Sequence, residues 1–261
     1  MSKTITFSVP KGGSGKTTVT FNFAGLLNKL GYKVLLIDSD SQGSLSSTYN
    51  SFTNKETLYN AFTGGKVRIR QLNPLLSLIP ASPNLEALDG QLDSTNNKYF
   101  KMMMWLQDHY SEIEDFDYIL IDTHPGFSNI TRNMIAVSDY VVVPLMPNDY
   151  GFIQAKNQFD VHLEAFKTDA VDPITRESYI KAKPFYIGTK VKHNTAISRE
   201  FIRLTKDMPC FVGYTIERVI YEYATSLGVP IMLTDDEHKH DKKAEQEIER
   251  VYGNLLERIN D

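Results

Sequence analysis

A glycine-rich segment near the amino terminus has the residue types that hold phosphate groups. It spans residues 11 to 18 and reads Lys11-Gly12-Gly13-Ser14-Gly15-Lys16-Thr17-Thr18. Glycines let the backbone turn so that its N–H groups face inward, and a lysine brings positive charge to the phosphate oxygens. We therefore expect the whole segment to bind a nucleotide, with Lys16 bridging its terminal phosphates. Because a hydroxyl after this lysine is a ligand that Mg²⁺ accepts, we expect Thr17 to contact the metal.

The segment departs from the general phosphate-loop pattern G-x-x-x-x-G-K-[ST] at its first position. Pro10 stands where the first glycine belongs, and Lys11 follows it. A lysine at the entry of such a loop is poorly placed to curl back onto the phosphates of its own loop. It can reach the nucleotide of a second subunit, as an arginine finger does. We therefore predict a face-to-face homodimer in which Lys11 acts catalytically across the interface.

Carboxylates follow two predicted strands. Asp38 and Asp40 come directly after an apolar run that ends at Ile37, and Asp122 ends the apolar run of residues 118–121. Ligands of doubly wound sheets bind outside the carboxyl ends of the strands. We expect Asp38 to hold a Mg²⁺-bound water and Asp122 to support Mg²⁺ as a Walker B aspartate does. We expect Asp40 to orient the attacking water.

The elements that position these residues alternate between strand and helix patterns. Apolar strand patterns occupy residues 4–9, 33–38, 76–80, 118–122, 140–145 and 184–188. Helical spacing is strongest over residues 98–110, 152–166, 198–204, 217–227 and 241–259. Strand–helix–strand succession requires parallel strands joined by right-handed crossovers. The sequence thus predicts the α/β class: a doubly wound, mostly parallel sheet flanked by helices, with the P-loop NTPase fold, in one domain over residues 1–261.

Composition limits the remaining choices. The chain has 261 residues, of which 41% are hydrophobic and 23% charged, which fits one large α/β domain. It contains no run of 18 apolar residues, so we expect no membrane span. Its one cysteine, Cys210, rules out an internal disulfide framework and disfavours a multi-cysteine metal site. We therefore expect a cytoplasmic protein.

Positive charge is concentrated in one stretch of an acidic protein. Residues 176–206, here called the basic window, hold eight basic and two acidic residues; their net charge is +6, which leaves −10 for the rest of a chain whose total is −4. A localised basic field can select a polyanion such as DNA, although a solvated face gives the same pattern. In and just beyond the window, we expect five residues to contact DNA: Lys190, Lys192, Arg199, Arg203 and Arg218.

Three segments together resemble one protein family. Residues 11–18 are similar to the deviant Walker A motif of the ParA/MinD superfamily, residues 38–43 to its second motif and residues 122–126 to its Walker B motif. The resemblance extends over most of the chain and is strongest to the Soj-like ParA group. It implies an ATPase that dimerises with ATP and Mg²⁺, binds DNA non-specifically and hydrolyses ATP slowly. A centromere-binding, ParB-type partner would stimulate it during plasmid or chromosome segregation.

The resemblance also implies individual roles and shows departures. It makes Lys11 the signature lysine, Lys16 the Walker A lysine and Asp40 a residue needed for hydrolysis, and it places Gly12 tightly at the dimer contact. Ser41 replaces the usual proline, and residues 215–217 replace an Ile-Pro pair of the adenine wall, so we name no adenine contact. The chain begins at its first predicted strand, and we expect no helix-turn-helix extension and no operator-specific binding.

Related branches and functions remain to be weighed. Glutamates at 245, 247, 249 and 257 in the last predicted helix argue against the membrane attachment of MinD-like proteins. One cysteine cannot supply the interface cluster of nitrogenase iron proteins, and the tail lacks the tyrosine cluster of the kinase branch. We therefore expect a nucleoid-associated partition ATPase. The alternatives are a related ATPase that positions a protein cargo and a metabolic P-loop ligase or kinase.

Overall fold

An eight-stranded sheet forms the centre of the described part of the chain, which in this computed structural model comprises residues 2–148, 151–234 and 241–261. The strands are β1 (Lys3–Phe7), β2 (Val34–Ser39), β3 (Arg70–Asn73), β4 (Leu76–Ile79), β5 (Tyr118–Thr123), β6 (Tyr140–Leu145), β7 (Lys183–Val191) and β8 (Phe211–Ile216). Their order across the sheet is β3-β4-β2-β5-β1-β6-β7-β8. All neighbours are parallel except β3 and β4. The predicted doubly wound α/β fold is confirmed.

Helices cover both faces of this sheet. They are α1 (Lys16–Lys29), α2 (Ser44–Thr48), α3 (Leu58–Thr63), α4 (Leu85–Leu92), α5 (Lys101–Asp108), α6 (Tyr110–Ile113), α7 (Asn129–Ala136), α8 (Gly151–Asp169), α9 (Ala196–Thr205), α10 (Val219–Leu227) and α11 (Lys242–Asn260). A 3-10 turn at Ile231–Leu233 precedes α11. Within the described ranges, no helix is long and apolar enough to cross a membrane.

Alternation along the strands divides the core into two layers. In β2, Leu36 packs with residues of α1, α10 and α11, whereas Leu35 and Ile37 pack with residues of α3, α4, α5 and α7. Successive side chains of a strand point to opposite faces, so a strand buried on both faces reads as a continuous apolar run. Each fully buried leucine or isoleucine contributes about 1.5–3 kcal/mol relative to exposure.

Some elements carried too weak a pattern to be predicted. β8 contains Gly213 and two half-buried aromatic residues, and its register against β7 is interrupted twice. α7 has a polar sequence, and Asn133 within it is fully buried. This polar side chain tolerates burial because its amide bonds to neighbouring backbone. Its amide nitrogen donates to the carbonyls of Lys98 and Asn129, and its oxygen accepts the N–H of Met102. These elements form through tertiary partners that periodicity does not reveal.

Sheet order explains why one end of the molecule collects polar residues. β2, β5 and β1 are adjacent, and their carboxyl ends share one edge. The loop of residues 8–15 leaves that edge from β1 and leads into α1. The register pairs Asp38 of β2 with Asp122 of β5, so the two aspartates are direct neighbours. The fold therefore brings the phosphate-loop segment and both strand-end carboxylates to a single site.

Candidate nucleotide-binding site

The loop that joins β1 to α1 is shaped for an anion. Gly13 and Gly15 have φ angles of 80° and 79°, a left-handed conformation that residues with a Cβ rarely adopt. In the described ranges, no side chain caps the first turn of α1, so its N–H groups remain available to a phosphate. Ser14 is buried, and among described residues its hydroxyl has no hydrogen-bond partner. A phosphate bound in the loop would supply acceptors for these donors.

The two residues that open α1 are already tied to β5. The Lys16 ammonium lies 3.3 Å from Asp122 Oδ1, and its side chain is only 7% exposed. The Thr17 hydroxyl donates to Asp122 Oδ2 over 2.6 Å. Asp122 therefore holds both Lys16 and Thr17 at the mouth of the loop, the two residues for which the sequence predicts phosphate and metal contacts.

Asp38 and Asp40 occupy the end of β2 in different surroundings. Asp38 is fully buried, and its Oδ2 accepts hydrogen bonds from the backbone N–H and the hydroxyl of Ser46, both over 2.7 Å. Asp40 is also buried, and its Oδ1 accepts the Gln42 N–H over 2.9 Å. Sequence reasoning did not single out Ser46, because a serine eight positions beyond an aspartate belongs to no recognisable motif.

Burial disfavours the charged forms of the paired carboxylates, Asp38 and Asp122. Loss of hydration, and then the charge of Asp122, raises the pKa of Asp38 to about 7. Burial likewise raises the pKa of Asp122, although Lys16 and Thr17 act in the opposite direction. Two adjacent carboxylates in a dry site favour the arrival of positive charge. This donor set, two carboxylates and the Thr17 hydroxyl, fits Mg²⁺, which binds oxygen and completes its shell with water and phosphate.

Lys11 lies at the outer rim of the site. It is exposed, as are Gly12 and Gly13, whereas Ser14 and Lys16 are buried beneath them. A Cβ on Gly12 would lie 3.6 Å from the Pro125 ring, so this glycine faces the segment after β5. The Gly126 N–H donates to the Val9 carbonyl over 2.9 Å and ties that segment to the start of the loop. Lys11 thus has the exposure that a residue acting on another molecule requires.

A narrow cavity of about 100 Å³ adjoins the loop on the side of β7 and β8. It lies between the start of α1, the ends of both strands and the first turns of α10. Its lining includes Gly15, Thr18, Thr189, Lys190, Thr215, Ile216, Glu217, Arg218, Tyr221, Glu222 and Tyr252. The Thr189 hydroxyl donates to the Ser14 carbonyl over 2.7 Å, which joins the cavity to the loop. A nucleotide whose phosphates lie in the loop would extend its base toward this cavity, which we call the base-side cavity.

The five candidate DNA contacts differ in their surroundings. The Lys190 ammonium donates to the Gly13 carbonyl over 3.0 Å, and Arg218 lines the base-side cavity with its side chain 22% exposed. Lys192 lies 3.7 Å from Glu217, while Arg203 forms two hydrogen bonds to Glu200 on the same turn of α9. Arg199 is exposed on that helix. Lys190, Lys192, Arg199 and Arg203 are all exposed, although Lys190 also contacts the loop, and Arg218 is half-buried beside it.

A second cavity of about 320 Å³ lies on the opposite side of the loop, next to the segment after β5. Its lining includes Ser39, Ser41, Glu86, Asp89, His124, Gly126, Phe127 and Ser128. His124 is exposed there, and its Nδ1 lies 2.7 Å from the Pro125 carbonyl oxygen.

A glycine loop before a helix, with Lys16, Thr17 and a strand-end aspartate in contact, defines a P-loop nucleoside triphosphatase. Comparison with known proteins specifies the family. Residues 2–169 match the family model AAA_31, an AAA domain, and the chain therefore belongs to this family as a ParA/Soj-like P-loop ATPase.

Relatives with known names agree with this assignment. The chromosome partitioning protein ParA of Myxococcus xanthus is 29% identical over 243 residues, which cover 90% of this chain and 82% of the relative. The chromosome-partitioning ATPase Soj of Treponema pallidum is 34% identical over 151 residues, 56% of this chain and 57% of Soj. A plasmid partition protein of Borrelia burgdorferi bound to AMPPNP has the same fold, with a TM-score of 0.81 and 23% identity over 99% of this chain and all of that one.

Proposed function

We propose that this protein is a Mg²⁺-dependent partition ATPase that switches between a monomer and an ATP-bound, DNA-binding dimer. The observation that carries the proposal is the contact of Lys16 and Thr17 with Asp122 beneath an exposed Lys11. Lys16, Thr17 and Asp122 form a nucleotide site within one subunit. Lys11 would complete the site of another subunit, which its exposure supports. The similarity to ParA and Soj supports segregation of DNA as the role.

Nucleotide binding uses the loop and the base-side cavity. The N–H groups of the loop and the Ser14 hydroxyl donate to the phosphates, and Lys16 shifts from Asp122 toward the phosphate oxygens. Thr17 would bind Mg²⁺, with Asp38 holding a water of the metal and Asp122 supporting it, and the bound metal would neutralise phosphate charge. Positioning and electrostatic stabilisation of this kind supply most of the catalysis in phosphoryl transfer.

Hydrolysis requires a water in line with the terminal phosphate. Asp40 orients this water. The water oxygen bonds to the phosphorus while the bond between the phosphorus and the oxygen of ADP breaks, which yields ADP, phosphate and a proton. Lys11 of the partner subunit stabilises the negative charge that develops. With Lys11 supplied only by dimerisation, an isolated subunit turns over slowly. A ParB-type centromere-binding protein would then stimulate the dimer, in the cytoplasm and on the nucleoid.

DNA binding is assigned to the outer part of the basic window. Lys192, Arg199 and Arg203 lie at the end of β7 and on α9, where lysine and arginine can meet phosphates without reading sequence. Nearby Glu200 and Glu217 reduce the field of each subunit, so two windows in one dimer would bind DNA more strongly than one. This dependence on the dimer would couple DNA release to hydrolysis.

The decisive experiment is light scattering after size exclusion, with ADP or AMPPNP, with and without long DNA. We expect a 29.7 kDa particle with ADP and a particle of twice that mass with AMPPNP. Only the larger particle should co-elute with DNA at low salt. Replacing Lys192 and Arg199 by alanine should lower the salt slope of DNA binding, by about one for each DNA phosphate that is no longer neutralised. A matched control replaces Lys55 and Lys66, which lie outside the window. A monomer under every condition would refute the dimer.

Two other functions have specific support. The cell division protein PomZ of Myxococcus xanthus is 24% identical over 258 residues, 95% of this chain, which supports a role other than DNA segregation, such as the positioning of a protein cargo. The second cavity, with Glu86, Asp89 and His124, favours a ligase or kinase that takes a small acceptor. Identifying what stimulates ATP turnover separates them: a DNA-bound centromere protein, a cargo protein without its own DNA site, or a small molecule that is itself converted.

A further inference from the structure

The base-side cavity is supported from behind by a carboxylate of the last helix. Glu247 lies on α11, and only 7% of its side chain is exposed. Its Oε1 accepts the Ile216 N–H over 3.0 Å and the Tyr221 hydroxyl over 3.0 Å. Ile216 ends β8, and Tyr221 lies in the first turns of α10. One carboxylate therefore joins three elements at the cavity wall.

The same group also faces the cationic part of the wall. Arg218 Nε lies 3.9 Å from Glu247 Oε1 and, within the described ranges, has no hydrogen-bond partner. Burial raises the pKa of Glu247, while the Ile216 N–H, the Tyr221 hydroxyl and Arg218 favour its charged form. Tyr252, five residues further along α11, lines the cavity directly. The last helix thus contributes the Tyr252 ring to the cavity lining and, through Glu247, the hydrogen bonds that hold Ile216 and Tyr221 in the wall.

Attachment of α11 does not require a carboxylate at this position. The helix packs on the sheet and on α1 through an apolar face that includes Ile248, Val251, Leu255 and Ile259, all fully buried. A buried carboxylate costs free energy unless its hydrogen bonds are satisfied. Glu247 accepts its hydrogen bonds from the two residues that border the cavity, Ile216 and Tyr221. This indicates a role at the cavity rather than in the core.

We propose that Glu247 is a positioning residue for the nucleoside half of the ATP site, which makes the last helix part of that site. It fixes the Ile216 backbone and the Tyr221 ring, the surfaces against which the base and ribose pack. This inference rests on the proposed ATP-binding function. It assigns Glu247 no contact with the phosphates, which bind at the opposite end of the nucleotide.

The consequence is a loss of affinity that depends on the nucleoside. Glu247→Ala should weaken AMPPNP binding about tenfold. This is less than the full contribution of two hydrogen bonds to a charged acceptor, because Glu247 acts on the nucleotide only through Ile216 and Tyr221. Affinity for inorganic triphosphate, which lacks base and ribose, should change less than about twofold, because the loop and Lys16 are untouched. Both are measured by competition against a fluorescent ATP analogue in the presence of Mg²⁺.

Conservative variants guard against simple loss of folding. Glu247→Gln keeps an oxygen that can accept from Ile216 and Tyr221, so it should restore AMPPNP affinity to within about threefold of wild type. Tyr221→Phe keeps the ring and removes the hydroxyl, and its effect should not add to that of Glu247→Ala, because both remove one shared hydrogen bond. Glu249→Ala is the matched control, since this exposed neighbour on α11 lies 3.7 Å from Lys29.

The outcomes separate this inference from the proposed function. Wild-type protein that binds AMPPNP no better than inorganic triphosphate refutes nucleoside recognition in the cavity, and both proposals fail. Wild-type protein that prefers AMPPNP, with Glu247→Ala losing affinity for both ligands equally or for neither, refutes the role of Glu247 alone. A loss confined to AMPPNP and restored by Glu247→Gln supports it.

Discussion

Replacing Asp40 by alanine separates nucleotide binding from hydrolysis. Lys16 and Thr17 bond to Asp122, whereas Asp40 bonds to Gln42, so the two sets of contacts share no atom. We therefore expect Asp40→Ala to bind ATP and dimerise like wild type. Because the carboxylate that orients the attacking water is gone, turnover should fall by about 100-fold or more.

The structural cost of this substitution is small and can be estimated. Asp40 Oδ1 accepts one hydrogen bond, the Gln42 N–H at 2.9 Å, while the Asp40 carbonyl keeps its bond to the Gly43 N–H at 2.8 Å. Loss of one hydrogen bond should lower the free energy of unfolding by about 1 kcal/mol. For a chain of this size that corresponds to a fall in Tm of about 2–4 °C.

Three assays and one matched variant test the reasoning. Phosphate release measures turnover, equilibrium binding of a fluorescent ATP analogue measures affinity, and thermal unfolding measures stability. Asp40→Asn retains an oxygen that accepts the Gln42 N–H, so it should recover the lost stability without recovering turnover. If either variant hydrolyses ATP at the wild-type rate in the presence of DNA and the stimulating partner, the role of Asp40 is refuted.

Three further substitutions test other parts of the site and fold. Lys16→Ala should weaken ATP binding by about 100-fold or more in equilibrium titrations, because it removes the ammonium that would contact the phosphates and leaves Asp122 without its cationic partner. Lys11→Ala should keep ATP affinity within about threefold in the monomer but abolish the AMPPNP dimer in light scattering. Asn133→Ala should lower the free energy of unfolding by about 2–3 kcal/mol in urea denaturation, because three backbone groups lose their partner.

Each of these has a result that contradicts it. ATP affinity unchanged in Lys16→Ala would mean that the loop does not hold the phosphates. A stable AMPPNP dimer of Lys11→Ala would show that this lysine is dispensable for the sandwich. Full stability of Asn133→Ala would show that water replaces the amide. Ser128→Ala is the matched control: it removes the α7 cap on the Thr131 N–H, so it measures how much free energy of unfolding the loss of one hydrogen bond costs in this helix.

Local sequence was sufficient for the loop and for most of the sheet. The spacing of Gly13, Gly15 and Lys16 acts within one turn of backbone, and continuous apolar runs mark strands buried on both faces. β8 and α7 were not predicted, because Gly213 interrupts one pattern and polar residues such as Asn133 obscure the other. Their stability comes from partners distant in sequence.

The basic window shows how tertiary structure divides a sequence feature. Lys190 and Lys192 are two positions apart at the end of β7, and the sequence predicted DNA contacts for both. Lys190 has a φ of 53°, and its ammonium reaches the Gly13 carbonyl although the residue stays exposed, whereas Lys192 lies beside Glu217. Charge counting describes the field of a segment, but the backbone conformation decides which side chain faces which site.

By itself, the sequence determined that a phosphate loop with two lysines precedes a helix and that carboxylates end two buried strands, because these features depend on neighbouring residues and on strand periodicity. Tertiary structure decided which carboxylates meet. The adjacency of β2 and β5 pairs Asp38 with Asp122, and α11 brings Glu247 to the base-side wall from 31 residues beyond Ile216. Such contacts arise only when the whole chain folds, since no local pattern specifies which distant element will pack beside a strand end.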